Sequence, residues 1–213
     1  MRARESGHAI FLARRVLGPV AARLGVRFFD VFYGERRIEQ VPAVVQPPIA
    51  LAVRAAQPAD VEPLLARIPS MEARRIRQAL LLDSEVCLVA TSAHVDAGFI
   101  CANLAHVDLA GLPVCALPAG GAYVHNTHVL PEFRGQKVMQ VMARALHLSL
   151  AERGCSFTCR LIDRANVASL VGTERSGIQF RWAPIVKLPG TPAYFVPPGP
   201  PALRRRRDRP STA

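Results

Sequence analysis

The sequence predicts an α/β fold, with helices and strands in the order β-α-α-β-β-β-α-β-α-β-β and a hairpin near its middle. Three observations carry this reading. Apolar residues recur at helical spacing between Gln136 and Arg153 (Val138, Val141, Met142, Ala145, Leu146), and the pattern stops at Arg153-Gly154. That is a basic last turn followed by the residue that best tolerates a left-handed C′ position. Residues 85–92, 98–107, 122–130 and 156–162 are short runs with strand character, separated by turn-forming residues. Half of the 213 residues are apolar, enough to bury the core of one domain.

Each element has its own justification. Residues 8–33 are apolar and basic and are interrupted by Gly18-Pro19. They read as two short amphipathic pieces that would pack on the domain, on a second subunit or on a membrane surface. Residues 41–49, VPAVVQPPI, hold three prolines and read as a linker. Residues 1–48 are therefore set apart as a helical extension and linker. IALAVRAA (49–56) is the first strand. QPADVEPLLARI follows as a helix, with Asp60 as N-cap and its prolines in the first turn. A second helix is expected from Ser70 to Leu82. The strand at 85–92 and its return at 98–107 flank a turn at Asp96-Ala97-Gly98, and 108–120 reads as a loop. After the strand at 122–130 and the long helix comes an alternating strand, SFTCRLI (156–162). A short helix from Asn166 to Ser176 then ends at Gly177, and two strands lie around residues 188–192. The domain thus spans 49–198, and 199–213 is an Arg-rich, solvated tail.

Basic residues outnumber acidic ones 27 to 16, for a net charge of +11. Such a chain attracts anions: phosphorylated cofactors, acidic proteins, anionic lipid or nucleic acid. Five of the arginines lie in the tail, and no stacking aromatics are interleaved with them. This argues against a specific nucleic-acid reader. The cysteines at 87, 101, 115, 155 and 159 have no metal-site or disulfide-framework spacing, so reduced, mostly buried thiols in a cytoplasmic protein are expected. No metal is expected. No apolar run reaches the roughly 18–20 residues of a membrane span, and Arg14 and Arg15 interrupt the one candidate signal core.

Residues 129–139, VLPEFRGQKVM, run from strand to helix. A helix start offers unpaired N–H groups and partial positive charge, and an anion satisfies both. Gly135 lets the backbone come close or take positive φ; Arg134 and Lys137 add full charges. The flanking residues resemble the GNAT superfamily, the Gcn5-related N-acetyltransferases. That family carries V-x-P-x-x-R-G-x-G-x-G/A between its fourth strand and third helix. Val129, Pro131, Arg134 and Gly135 match it. A second family block, N-x-x-A-x-x-x-Y-E-K-x-G-F, is echoed by Asn166, Ser169, Glu174, Arg175 and Gly177 in the same register. The resemblance covers residues 49–197.

The resemblance implies a GNAT-like mixed, mostly antiparallel sheet of about seven strands with helices on both faces. It implies an acyl-CoA-dependent N-acyltransferase, acetyl-CoA being the expected donor and a small or protein amine the acceptor. The backbone of Thr127, His128 and Val129 would pair with the pantetheine arm. Arg134, Gly135, Gln136, Lys137, Val138 and Met139 would cradle the pyrophosphate, and Asn166 would contact the arm. His125 is the candidate general base; strand alternation places it with Thr127 on one face, and Asn126 with His128 on the other. Glu132 is expected at the surface. His94 and His106, near the ends of the hairpin strands, are given structural roles.

The sequence departs from the family at three telling places. Lys137 and Met139 stand where the family has glycines, and Thr173 where it has a tyrosine that protonates the departing thiolate. Lys137 can serve phosphate as a point charge; threonine is a poor acid. These departures leave room for two other readings: an acidic acyl-carrier protein as donor, or a non-catalytic partner module. A homodimer and contact with a membrane surface are further expectations.

Overall fold

The computed structural model describes residues 20, 23–67, 85–109, 112–183, 185–187, 189 and 194–195. The strands, in chain order, are β1 (Arg27–Phe29), β2 (Val31–Arg37), β3 (Ala52–Ala55), β4 (Glu85–Ser92), β5 (Val95–Asn103), β6 (His106–Leu109), β7 (Leu112–Ala116), β8 (Gly121–Val129), β9 (Phe157–Asp163), β10 (Phe180–Trp182), β11 (Ile185–Lys187) and β12 (Tyr194–Phe195). The helices are α1 (Val61–Leu65), α2 (Val138–Glu152) and α3 (Val167–Glu174). Seven strands form one sheet in the order β10-β2-β9-β8-β5-β4-β3. Every neighbouring pair in it is antiparallel except β8 and β9. A two-stranded ribbon pairs β6 with β7, and β1, β11 and β12 make a third, small sheet.

The core follows from α2. Its buried positions Val138, Met142, Leu146 and Leu150 recur every four residues. They pack on Val86, Leu88, Ile100, Ala102, Ala122 and Val124 of the sheet. Each large side chain buried there stabilises the fold by about 1.5–3 kcal/mol. On the opposite face Leu64 of α1 packs with Val89, Phe99 and Cys101. Helices therefore cover both faces, as expected. Gly154 takes its left-handed C′ place with φ 76°.

Several expectations are corrected. Residues 27–37 are strands, not part of a helical extension; β2 lies inside the main sheet, between β9 and β10. The alternating side chains of VFYGERR fit a strand paired on both edges, and its non-local partners are not visible in local periodicity. The hairpin turn is Ala93-His94, both with positive φ, and Asp96–Gly98 belong to β5. The expected loop at 108–120 contains the second strand of the β6–β7 ribbon. Asp60 lies at the N-cap but forms no side-chain cap bond; its carboxylate accepts from both Nη atoms of Arg54 at 2.6 Å and from the backbone N–H of Gln57. The pair holds Asp60 below its usual carboxylate range. The expected helix at 70–82, the apolar pieces before residue 20 and the tail at 199–213 lie outside the described residues.

The proline-rich segment is more than a spacer. It runs along α2 from the top of β2 toward the helix start. His147 Nε2 lies 2.6 Å from the Ile38 carbonyl, Arg144 donates to the Pro42 carbonyl, and Lys137 Nζ donates to the Gln46 carbonyl at 3.3 Å. Proline has no N–H of its own, so such a strap presents carbonyls to a helix carrying donors. Among the described residues no helix is long and apolar enough to cross a membrane.

Candidate active site

Parallel β8 and β9 are paired only at Gly121–Tyr123 against Phe157–Cys159. Both strands continue, β8 to Val129 and β9 to Asp163, without further pairing to each other. Among the described residues, the edge of β8 that faces β9 is thus left without a strand partner from Val124 onward. The helices that follow these two strands are α2 and α3, and the first turn of α2 lies against the last turn of α3. A Cβ on Gly172 of α3 would meet the Met139 Sδ and Cε atoms of α2 at 3.4 and 3.0 Å. Met139, where a glycine was expected, reaches sideways to α3 and borders the opening.

The turn between β8 and α2 keeps the backbone that glycine would favour. Gly135 has φ 78° and Lys137 has φ 63°. A left-handed residue with a side chain costs about 1–2 kcal/mol, so this shape is imposed on Lys137. Successive N–H groups in such alternating conformations form an anion-binding concavity. The N–H groups of Gly135, Lys137, Val138 and Met139 have no backbone partner among the described residues. A Cβ on Gly135 would meet nothing within 4 Å, so the concavity is open. Arg134 is exposed and its Nε donates to the Val129 carbonyl at 3.3 Å; Gln136 Nε2 donates to the Glu132 carbonyl. Glu132, as expected, is at the surface, where it is ion-paired with Arg67. Asn166 caps α3, its Oδ1 accepting from the Ser169 N–H at 3.1 Å.

The expected alternation on β8 fails. Asn126 has φ 47°, and the β5–β8 register jumps so that Cys101 faces His125 and Phe99 faces His128. Two residues on β8, Asn126 and Thr127, oppose one on β5, Ile100, which is a bulge. His125 and His128 therefore share a face. His128 stacks on Phe99, ring centroids 5.8 Å apart. Gly98 makes the bulge possible, because a Cβ there would run into the His128 carbonyl.

That shared face carries a row of polar groups the sequence did not point to. His125 Nε2 lies 2.7 Å from Glu85 Oε2, with side chains 14% and 6% exposed. Glu85 Oε1 accepts from Asn103 Nδ2, and Asn103 Oδ1 accepts from the N–H groups of Ala105 and His106 where the β6–β7 ribbon begins. Tyr123 stacks on His125 at 5.7 Å. A neutral His125 that donates Nε2–H to Glu85 keeps its lone pair on Nδ1. Glu85 was missed because nothing local marks it. Only the pairing Glu85–Asn103–Tyr123 across β4, β5 and β8 brings it within reach.

The same register corrects the expectation for two of the thiols. Cys87 and Cys101 stand directly opposite each other on β4 and β5, Cα atoms 4.2 Å apart, and are joined as a disulfide. Their separation of 14 is set by hairpin pairing and resembles no framework spacing. Cys155 and Cys159 are not in a disulfide. Thr173, where the family has tyrosine, is buried, and its Oγ1 accepts from Arg160 Nη1 at 3.2 Å.

No family model matches the chain, and no curated protein does. Solved structures do. An X-ray structure of a Drosophila protein aligns with TM-score 0.58 and 14% identity over 83% of this chain. The chain spans 57% of that protein's length. A functionally unknown conserved protein from Staphylococcus epidermidis aligns at 0.55, with 13% identity over 81% of this chain and 67% of its own. The aminoglycoside N-acetyltransferase AAC(6')-Iy, solved with the bisubstrate analogue CoA-S-monomethyl-acetylneamine, aligns at 0.50, with 18% identity over 61% of this chain and 91% of its own. The chain has the GNAT fold.

Proposed function

We propose that the protein is an acyl-CoA-dependent N-acyltransferase, with acetyl as the simplest acyl group and a small or protein amine as acceptor. The observation that carries the reading is the parting of β8 from β9 directly above a turn in which the N–H groups of Gly135, Lys137, Val138 and Met139 have no backbone partner among the described residues. The cofactor arm would lie along the free edge of β8, on the backbone of Thr127, His128 and Val129. Its pyrophosphate would sit on Gly135 to Met139, with Arg134 and Lys137 adding charge and Gln136 lying between them. The Asn166 carbonyl oxygen is committed to its cap, which leaves its amide NH2 for the arm.

A neutral amine attacks the thioester carbonyl, and backbone N–H groups at the bulge stabilise the oxyanion. His125 takes the proton at Nδ1, directly or through a water, while Glu85 orients the ring and stabilises the imidazolium that forms. Thr173 already accepts from Arg160 and is no substitute for an acidic phenol, so the thiolate leaves with solvent as its proton source.

Thermal melting with CoA and acetyl-CoA tests the cradle. Ligand at about 100 times its dissociation constant adds about 2.7 kcal/mol. For a domain of this size that is several degrees, and the shift should be lost in an Arg134→Ala, Lys137→Ala double variant. Turnover of acetyl-CoA against a panel of amines then tests the reaction. A folded protein without any shift would sink the acyl-CoA reading and direct the same assay to carrier-protein donors.

A further inference from the structure

Glu85 reaches His125 across an intervening strand. In the main sheet β5 lies between β4 and β8. Glu85 stands opposite Asn103, and Asn103 opposite Tyr123; His125 is two residues further along β8, opposite Cys101. Adjacent strands are about 4.8 Å apart. The Glu85 side chain therefore leans diagonally over β5 to bring Oε2 within 2.7 Å of His125 Nε2. Two β5 side chains share that face. Cys101 is joined to Cys87 and has no thiol proton to give. Asn103 gives Nδ2–H to Glu85 Oε1 at 2.8 Å.

Asn103 is 2% exposed, and its amide has only one workable orientation. Its Oδ1 faces the backbone N–H groups of Ala105 and His106, both at 2.8 Å. Those groups can only donate, so the amide cannot flip, and Nδ2 is held toward Glu85. An ionised carboxylate only accepts. The chain of bonds thus has a fixed direction: Asn103 gives to Glu85, and neutral His125 gives Nε2–H to Glu85. The N–H groups that fix Asn103 lie where the chain enters the β6–β7 ribbon. One side chain anchors both the ribbon and the carboxylate.

We propose that Asn103 is a positioning residue of the acyl transfer: by presenting a donor to Glu85 Oε1 it turns Oε2 to His125 and so sets the tautomer that leaves Nδ1 bare. The proposal rests on the reading of His125 as the base. As a neutral donor, Asn103 holds the carboxylate without cancelling its charge, which stays available to the imidazolium. The second nitrogen of a histidine is set by the bond the first one makes, and here that bond is itself set one residue further out.

Glu85→Gln turns this direction into a test. The new side chain has one accepting end and one donating end. Asn103 takes the accepting end, so the donating end faces His125 Nε2 and drives the ring proton to Nδ1. In the double variant Glu85→Gln, Asn103→Asp the introduced carboxylate takes the donating end, the accepting end returns to His125, and the Nε2–H tautomer comes back. Both substitutions keep side-chain shape, and the introduced carboxylate still accepts from Ala105 and His106. Tautomers are read from two-bond proton–nitrogen correlation spectra of the histidine-labelled full chain at about pH 8 without CoA, the His125 signals being those lost in His125→Ala. The expected series is Nε2–H in the parent, Nδ1–H in Glu85→Gln and Nε2–H in the double variant. An Nε2–H signal in Glu85→Gln, or Nδ1–H in the double variant, would overturn the proposal and leave Asn103 as a fastener of the ribbon. Should the double variant not fold, Asn103→Ser keeps a hydroxyl for the two N–H groups and falls short of position 85. Combined with Glu85→Gln it should give both tautomers, and Nδ1–H alone would count equally against the proposal. In turnover the double variant should exceed Glu85→Gln by at least about tenfold in kcat, the equivalent of one hydrogen bond to a charged group, at unchanged KM for acetyl-CoA. Equal kcat in the two variants of a parent that turns over would also overturn it. Because the spectra need no substrate, a parent without turnover sinks the reading of the reaction and leaves the tautomer series standing.

Discussion

The His125–Glu85 pair sits at the middle of β8 and the turn at 134–139 just beyond its end, and they are built in opposite ways. The turn is contiguous, exposed and shaped by backbone conformation. The pair is assembled from strands 40 residues apart, buried and shaped by register. The first binds by N–H geometry that any side chain can decorate; the second works only if three strands hold their alignment. Removing side chains should therefore damage the pair more than the turn.

The largest expected effect is accordingly at the pair. His125→Ala or Glu85→Gln should lower the rate of acyl transfer by about 10²–10⁴, the range for a positioned base, while CoA-dependent melting stays that of the parent. A loss of CoA binding in Glu85→Gln would make the network a structural support and erase the contrast.

Gly98→Ala attacks register itself. The added methyl meets the backbone of His128 and Val129, which cannot move aside without disturbing the bulge. A loss of about 1–3 kcal/mol is expected for such overpacking, measured by denaturant unfolding. Both regions should weaken together, because the bulge that orients His125 also delivers the chain to the turn.

This contrast explains what could be read from the sequence. The helix at 138–152, the strand before it and the basic turn are local and were legible from spacing, glycine and charge. So was the order of the described elements after residue 49, apart from the β6–β7 ribbon. β2 was not, because its partners lie 120 residues and more downstream. Nor was the shared face of His125 and His128: simple alternation separates them, and a positive φ at Asn126 leaves no local mark. Glu85, Asn103 and the Cys87–Cys101 disulfide share one cause, since each is defined by a cross-strand partner.

Lys137 sharpens the comparison from the other side. Its left-handed backbone costs about 1 kcal/mol that glycine would not incur. Lys137→Gly should therefore stabilise the unliganded protein by about that amount, a rise of about 2–4 °C, while weakening CoA because the ammonium is gone. An unchanged CoA affinity would assign all anion binding to N–H groups and Arg134, with Lys137 serving only its bond to Gln46.

The smallest effect concerns the far end of the strap that reaches Lys137. His147 donates to the Ile38 carbonyl, and burial, with Arg36 and Arg144 nearby, lowers its pKa below the ordinary 6.5. The unfolded chain then binds the proton more readily than the folded one. Stability is thus full above 6.5 and drains as pH falls through the window beneath it. Glutamine can still donate to Ile38 but cannot titrate, so His147→Gln should flatten the decline in melting temperature between pH 7 and pH 5. The two proteins should differ little above pH 7. Because His147 anchors only the start of the strap, acidification over this range should leave the Gln46–Lys137 contact in place. CoA affinity at pH 6 should then match that at pH 7. A matching decline in the parent and in His147→Gln would place the acid-sensitive group elsewhere and detach the strap from the pH response.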